Sequence, residues 1–296
     1  MALRTTGERV FGVFNSLFLI LFSVTILFPF VNLLAVSLTH GSSAYLSNLM
    51  LWPRPFSTKS YAAILGDNEL YMGYLVTIVR TVAGTFATVV VLLCAAYPLS
   101  KKYLPHRNFY TWIFVFTLFF SGGLIPTYIL VRSLGLINNV PLVFVLINLA
   151  PAFWLLIMRN FLMTIPSEIE DSARIDGANE IVTLFRIIAP MSMPVIATIG
   201  LWSAVGHWNA WFDSLLYVTD RHKHVLQIWL QRIVITANDT LTIEAEQAFD
   251  EAALRPVRPQ TLNSAAIFVA IAPILAVYPF IQKYFVKGVI IGSLKG

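Results

Sequence analysis

Three stretches of the 296-residue chain hold side chains whose type and spacing could do chemistry. The first is Trp208-Asn209-Ala210-Trp211-Phe212-Asp213, preceded by Trp202 and His207. Aromatic faces stack on the apolar faces of sugars, and amides or carboxylates bond hydroxyls. The group therefore suits a polyhydroxylated ligand. On a continuous helix Trp208 and Trp211, three apart, share one face, and Asn209 and Asp213, four apart, share another. Two readings of the tryptophans stand, a solute path or an aromatic belt at a membrane surface. For Asn209 and Asp213 a functional or interhelical role is expected, because polar groups inside apolar runs need partners. The second stretch surrounds Arg80, a cation inside an apolar run. It either lines a cavity or reaches outer headgroups.

The third stretch runs from Pro166 to Asn179, through Ser167, Glu168, Ile169, Glu170, Asp171, Ser172, Ala173, Arg174, Ile175, Asp176, Gly177 and Ala178. Ser167 with Glu170 reads as a capping box at a helix start, with Pro166 just before it. Gly177 supplies a left-handed stop. Asn179 then caps a second helix with apolar positions Ile181, Val182, Leu184, Phe185 and Ile188, before Pro190 and Pro194. Two capped helices around a tight turn read either as a solvated connector or as a docking element. A docking element would need a partner's groove to bury its apolar stripe.

Other chemistries are missing. The chain has no G-x-x-x-x-G-K-[ST] loop, so it does not hydrolyse ATP by that route. H-E-x-x-H and G-x-S-x-G are also absent. Of the five histidines only His222 and His224 are neighbours, in a basic stretch that reads as a surface turn. The single Cys94 excludes an intrachain disulfide framework and a cysteine zinc site. We expect no enzyme, no metal site and no cofactor bound by this chain.

The elements that position these residues follow from composition. Hydrophobic residues make up 57% of the chain and charged ones 12%, against about 45–50% and about 25% in an ordinary soluble domain. That leaves too little polar surface for a water-soluble globule, and the expected class is an all-α polytopic membrane protein. The mean hydropathy of +0.75 agrees. The net charge of +5 then reflects basic cytoplasmic loops, and no nucleic-acid partner is expected.

A spanning helix needs about 20 apolar residues. Six candidate spans run from about Val10 to Leu38, Tyr74 to Leu99, Phe109 to Val131, Val140 to Phe161, Met191 to Val218 and Thr261 to Phe285. Pro29 should kink the first, and Ser121-Gly122-Gly123 with Pro126 interrupts the third. The first span is read as retained rather than as a signal peptide. Six spans put both termini on one side. That side holds Arg4, Arg9, Lys101, Lys102, Arg107, Arg159, Arg174, Arg186, Lys283, Lys287 and Lys295, so it is expected to be cytoplasmic. The segment at about 163–190 is then cytoplasmic, and a long loop at about 219–260 is external. That loop carries Asp239, Glu244, Glu246, Asp250 and Glu251, and a short interfacial helix is expected from Leu226 to Ile235. No carboxylate occurs between Glu69 and Glu168, which argues against a proton-driven carrier. A secondary carrier for a small polar solute remains the alternative. It would need repeat symmetry and coupling-ion sites, and no convincing second copy of any segment is found.

The 163–190 segment resembles the EAA loop of ABC importer membrane subunits, roughly E-A-A-x-x-D-G-A, then about ten residues, then L-P-x-x-x-P. Here Asp171-Ser172-Ala173 stands for E-A-A, followed by Asp176-Gly177-Ala178, Phe185, Ala189-Pro190 and Pro194. Asp171 keeps the charge of Glu on a shorter arm. The resemblance covers nearly the whole chain. Trp208-Asn209, Ala96-Tyr97-Pro98-Leu99-Ser100 and the Gly-rich basic tail from Lys287 to Gly296 are similar to the carbohydrate branch, in the manner of the maltose importer's smaller permease. The run from Ser121 to Tyr128 is similar to a subgroup handling complex oligosaccharides. Val76-Thr77 departs from the family's Asn-Ser or Asn-Thr, so no role of that Asn is carried over.

The resemblance implies a type I ABC importer permease core in a bacterial cytoplasmic (inner) membrane, with residues 1–296 as one permease domain. The substrate would be an oligosaccharide, including polysaccharide-derived and acidic sugars. The implied partners are a second permease, two ATPase subunits that bind ATP and Mg, an extracytoplasmic sugar-binding protein and membrane lipid. Coupling to the ATPases would fall to Glu170, Asp171, Ser172, Ala173, Asp176, Gly177, Ala178, Phe185 and Pro190. The substrate path would involve Trp208, Asn209, Trp211, Asp213 and Arg80.

Overall fold

The computed structural model describes residues 6–41, 50–140, 142–147, 149–246 and 257–293. Arg4, Asp250, Glu251 and the Leu294–Gly296 end of the basic tail lie outside the described residues. Among the described residues the regular structure is helical, apart from one isolated bridge between Thr39 and Phe56.

The chain forms two units, Met1–Asn68 with Leu230–Ala272, and Glu69–Trp229 with Pro273–Gly296. In the first, α1 (Thr6–Ser37) contains Pro29 and is apolar all round. No residue of its apolar window is buried within the chain, as expected for a helix that meets lipid or another subunit. The Ser23 and Thr25 hydroxyls bond back to the Leu19 and Leu21 carbonyls, so these two donors are satisfied on that surface. The short helix α2 (Lys59–Leu65) follows. The Ser60 hydroxyl donates to Thr261 Oγ1 at 2.9 Å, and Ser37 pairs with the Tyr61 hydroxyl at 2.9 Å.

The second unit is organised on α3 (Asn68–Ser100). Then come α4 (Arg107–Phe119), α5 (Leu124–Ser133), α6 (Leu142–Ile147), α7 (Ala152–Leu162), α8 (Ser167–Ile175), α9 (Glu180–Met191), α10 (Met193–Asn209) and α11 (Phe212–Tyr217), while α12 (Leu226–Glu246) belongs to the second unit only as far as Trp229. The last helix is α13 (Pro259–Ser293), with Pro273 and Pro279 inside it.

Among the described residues three helices, α1, α3 and α13, are long and apolar enough to cross a membrane, or up to five spans if bent pairs count as one. The fourth and fifth spans, expected from sequence to be continuous, are broken, and the third is interrupted where Ser121-Gly122-Gly123 and Pro126 announce it. Between α4 and α5 the chain turns by 115°, at Gly123, whose φ of +89° few other residues adopt. Pro151 starts α7 afresh and separates it from α6. The predicted fifth span stops at Asn209, because Ala210 is extended (φ −74°, ψ 132°). Between α9 and α10 the bend is 84°. Residues Thr183–Ile188 of α9 are wound as a π-helix. Pro190 offers no N–H to the Arg186 carbonyl, which favours such a widened turn just before it. The segment at about 219–260 carries a longer helix than expected, α12, where a helix was foreseen only to Ile235.

Two apolar clusters hold the second unit. One joins Leu92, Leu93, Ala96 and Tyr97 of α3 to Leu155 and Met158 of α7, Leu184 and Ile188 of α9, and Val195 and Ile199 of α10. The other joins Val76 of α3 to Val131, Phe144, Tyr217, Val225 and Ile228. Between them the buried face of α3 is polar or small, with Thr77, Arg80, Gly84 and Thr88.

Candidate functional site

The 163–190 segment is two short helices on a fixed turn. Gly177 has φ +81°. Its N–H donates to the Arg174 carbonyl at 3.0 Å, and the Ala178 N–H donates to the Ala173 carbonyl at 2.9 Å. This is the Schellman pattern, which satisfies carbonyls at the end of α8 and favours glycine at the left-handed position. Asp176 is the C-cap and Ser172 bonds back to the Glu168 carbonyl. The Asn179 side chain accepts the Val182 N–H at 2.8 Å, so the second cap forms as expected.

The first cap does not. Pro166 occupies the N-cap position, Ser167 is already helical, and no side chain caps α8. Glu170, the expected second half of the capping box, turns inward and pairs with Lys101 just beyond the end of α3. The two side chains are only 8% and 11% exposed. A buried cation therefore outcompetes the cap.

More polar contacts tie this segment to the corner after α3. The Tyr97 hydroxyl donates to Glu180 Oε2 at 2.9 Å. Arg174 Nη2 donates to Glu180 Oε1 at 2.8 Å and to the Tyr103 hydroxyl at 2.8 Å. Hydrogen bonds from Arg174 first, then from Tyr97, hold the Glu180 carboxyl below its ordinary range. The bond to Glu180 likewise raises the Arg174 guanidinium. Asp171 stays outside, 65% exposed, with a 3.5 Å contact to Arg174. Ala173 is buried against the unit. Ile175, Ile181 and Phe185 point out, at 87%, 69% and 44% exposure. Leu184 and Ile188, from the same predicted stripe, are buried. An open groove of about 520 Å³ lies beside Phe185, lined also by Cys94, Pro98, Leu104 and Ile181.

The second constellation lies along the other half of α3. Arg80 is fully buried, and its Nη1 and Nη2 donate to Asp213 Oδ1 and Oδ2 at 2.9 and 2.5 Å. The guanidinium lies 4.3 Å over the Phe144 ring. Asp213 also accepts its neighbour's N–H, from Ser214, at 2.9 Å. The Thr77 hydroxyl accepts the Leu226 N–H at 2.9 Å. Glycines let the helices close on this seam. A Cβ on Gly73 would sit 3.2 Å from Leu226 Cα, and one on Gly84 would overlap the His207 imidazole. Trp208 is buried against Tyr74, with ring centroids 6.4 Å apart. Several buried polar atoms here have no protein partner: Trp208 Nε1, Arg80 Nε and the hydroxyls of Thr81, Thr85 and Ser203.

Two expectations about this stretch are corrected. Trp208 and Trp211 do not share a helix face, and neither do Asn209 and Asp213, because Ala210 breaks the helix between them. Trp208 is buried in α10, whereas Trp211 is 38% exposed and packs edge-on against Phe212. Asn209 is exposed at the end of α10. Nor is Arg80 free to reach headgroups, being locked to Asp213. That pairing was missed, though it had a signal. One cation and one anion, each alone in apolar surroundings, should seek each other.

No family model matches the chain. It is 37% identical over 289 residues to the polygalacturonan/rhamnogalacturonan transport system permease protein YtcP of Bacillus subtilis (strain 168), covering 98% of this chain and 99% of that protein. It is 38% identical over 294 residues to Protein LplC of the same organism, covering 99% and 97%. Among solved structures, a chain of a bacterial ABC transporter involved in the import of the acidic polysaccharide alginate matches with a TM-score of 0.85 and 28% identity. That match covers 96% of this chain and 100% of the other.

Proposed function

Since the chain belongs to the permease subunits of sugar ABC transport systems, we propose that it forms one wall of an ATP-driven importer for oligosaccharides cut from polysaccharides, acidic ones among them. The observation that carries this reading is the 163–190 segment. Its turn is locked by Gly177 and Asn179, its inner face is bonded to the unit, and Ile175, Ile181 and Phe185 face out. A rigid element with an unburied apolar surface suits transmission of force from a partner, which a floppy connector cannot provide.

In this reading two ATPase subunits bind ATP and Mg and seat the segment in a surface groove. A second permease completes the path, and an extracytoplasmic binding protein delivers the sugar. The chain would sit in a bacterial inner membrane with six crossings: α1, α3, α4 with α5, α6 with α7, α10 with α11, and α13. Both termini and the 163–190 segment would be cytoplasmic. The buried polar atoms around Trp208 lie on the side of the path where sugar or water could satisfy them.

Reconstitution of the four-part complex in proteoliposomes tests the reading. Oligogalacturonides with binding protein should stimulate ATP hydrolysis and be taken up only with ATP. Uptake that needs an ion gradient and no ATP would establish a secondary carrier instead. On the same complex, Trp208→Ala should leave assembly and basal hydrolysis intact and lower uptake. Unchanged uptake would place the ligand on the partner permease.

A further inference from the structure

Among the contacts of the coupling segment, those to α3 stand apart, because α3 is distant from the segment in sequence. Lys101 follows Ser100, the last residue of α3, and Glu170 projects from α8 to meet it away from water. The Tyr97 ring lies 4.2 Å beneath the same ammonium, while its hydroxyl holds Glu180 at the start of α9. Arg174 of α8 closes the circuit, gripping both Glu180 and Tyr103. Below this polar layer, Leu92, Leu93 and Ala96 share one apolar cluster with Leu184 and Ile188 of α9. Both coupling helices are thus fastened to one end of α3, by ion pairs and hydrogen bonds at its rim and by apolar packing beneath.

We propose that Lys101 is a positioning residue for coupling. Through Glu170 it joins α3 to α8, so that a displacement of the coupling segment moves α3 as one body with it. The inference rests on the transport reading above. It also redirects Glu170, which acts inward on α3, while Asp171 and the outward isoleucines are left to meet the ATPase. Exposed ion pairs contribute little, but at 8% and 11% exposure this pair is largely shielded from water, so removing one partner leaves the other a mostly buried charge.

The test uses the complete complex in proteoliposomes. In Lys101→Met, sugar transported per ATP hydrolysed should fall by roughly 2- to 30-fold, the range over which residues in a coupled network modulate it. The exchange Lys101→Glu with Glu170→Lys should recover much of the loss. A second measurement does not depend on either variant assembling. With Cys94→Ser, spin labels at Lys102→Cys and Glu168→Cys report the distance between the α3 end and α8, without nucleotide and with ATP and vanadate. That distance should be the same in both states, while distances from either label to the partner permease change. Normal transport per ATP in assembled Lys101→Met, or a label separation that shifts between states in the otherwise unaltered complex, overturns the proposal. A parent complex that never couples sugar to hydrolysis would instead overturn the transport reading.

Discussion

The two halves of α3 are buried by opposite means. Toward its C-terminal end, Leu92, Leu93 and Ala96 sit in an apolar cluster, and the charges Lys101, Glu170, Arg174 and Glu180 ring its rim. Toward its N-terminal half the charges are deepest, with Arg80 and Asp213 paired inside, and Gly73, Thr77 and Gly84 provide the close contacts. The first arrangement is that of a water-soluble domain, with oil inside and ions at the edge. The second suits a solvent that is itself apolar, where apolar surface gives no reason for helices to associate and small or polar contacts must specify the fit.

The comparison breaks most easily at the buried ion pair. Arg80→Met alone leaves the Asp213 carboxylate uncompensated and should cost about 3–5 kcal/mol. Little folded permease should then remain in membranes by immunoblot. Arg80→Met combined with Asp213→Leu should recover a large part. If the single variant is as abundant as the parent, the pair is not buried as described.

Next in size is the close approach on the same half. Gly84→Ala drives a methyl into the His207 ring and should destabilise by about 1–3 kcal/mol, seen as a lower melting temperature in detergent. Gly206→Ala, with nothing within 4 Å, should behave like the parent. Equal melting temperatures would remove the distinction.

On the proposed coupling role, the half that holds the 163–190 segment should respond in transmission more than in folding. Gly177→Val forces a β-branched residue to φ +81° and should strain the turn by about 1–2 kcal/mol. The subunit should still insert, while ATP hydrolysis and sugar uptake in the assembled complex become uncoupled. Gly177→Asn should be milder. Normal uptake per ATP in Gly177→Val would remove the lever role of this turn.

Smallest is Asn179→Ala, which removes one cap bond worth about 1 kcal/mol. It should raise amide hydrogen exchange at the start of α9 and leave the Arg80 seam unchanged. Faster exchange spreading to α10 would mean the two halves are not separate.

What the residues determined alone was local. A run such as Val10 to Ser37 forms a helix whatever lies beside it, because in an apolar surrounding its backbone groups have no other partners. The left-handed Gly177 and the Asn179 cap were legible for the same reason, since each bond closes within a few residues. The capping box at Ser167 was equally local in its signal and still did not form, because Lys101, far away in sequence, took the carboxylate. Ala210 shows the same limit. The helix pattern ran through it, yet the chain becomes extended there, whereas the 115° bend at Gly123 falls at the interruption that Ser121-Gly122-Gly123 and Pro126 announce. Only the tertiary structure decided which lone charge meets which, where Trp208 and Trp211 part company, and that Glu170 faces α3. Those outcomes depend on which helices lie side by side, and buried charge selects the arrangement in which every ion finds its counterpart.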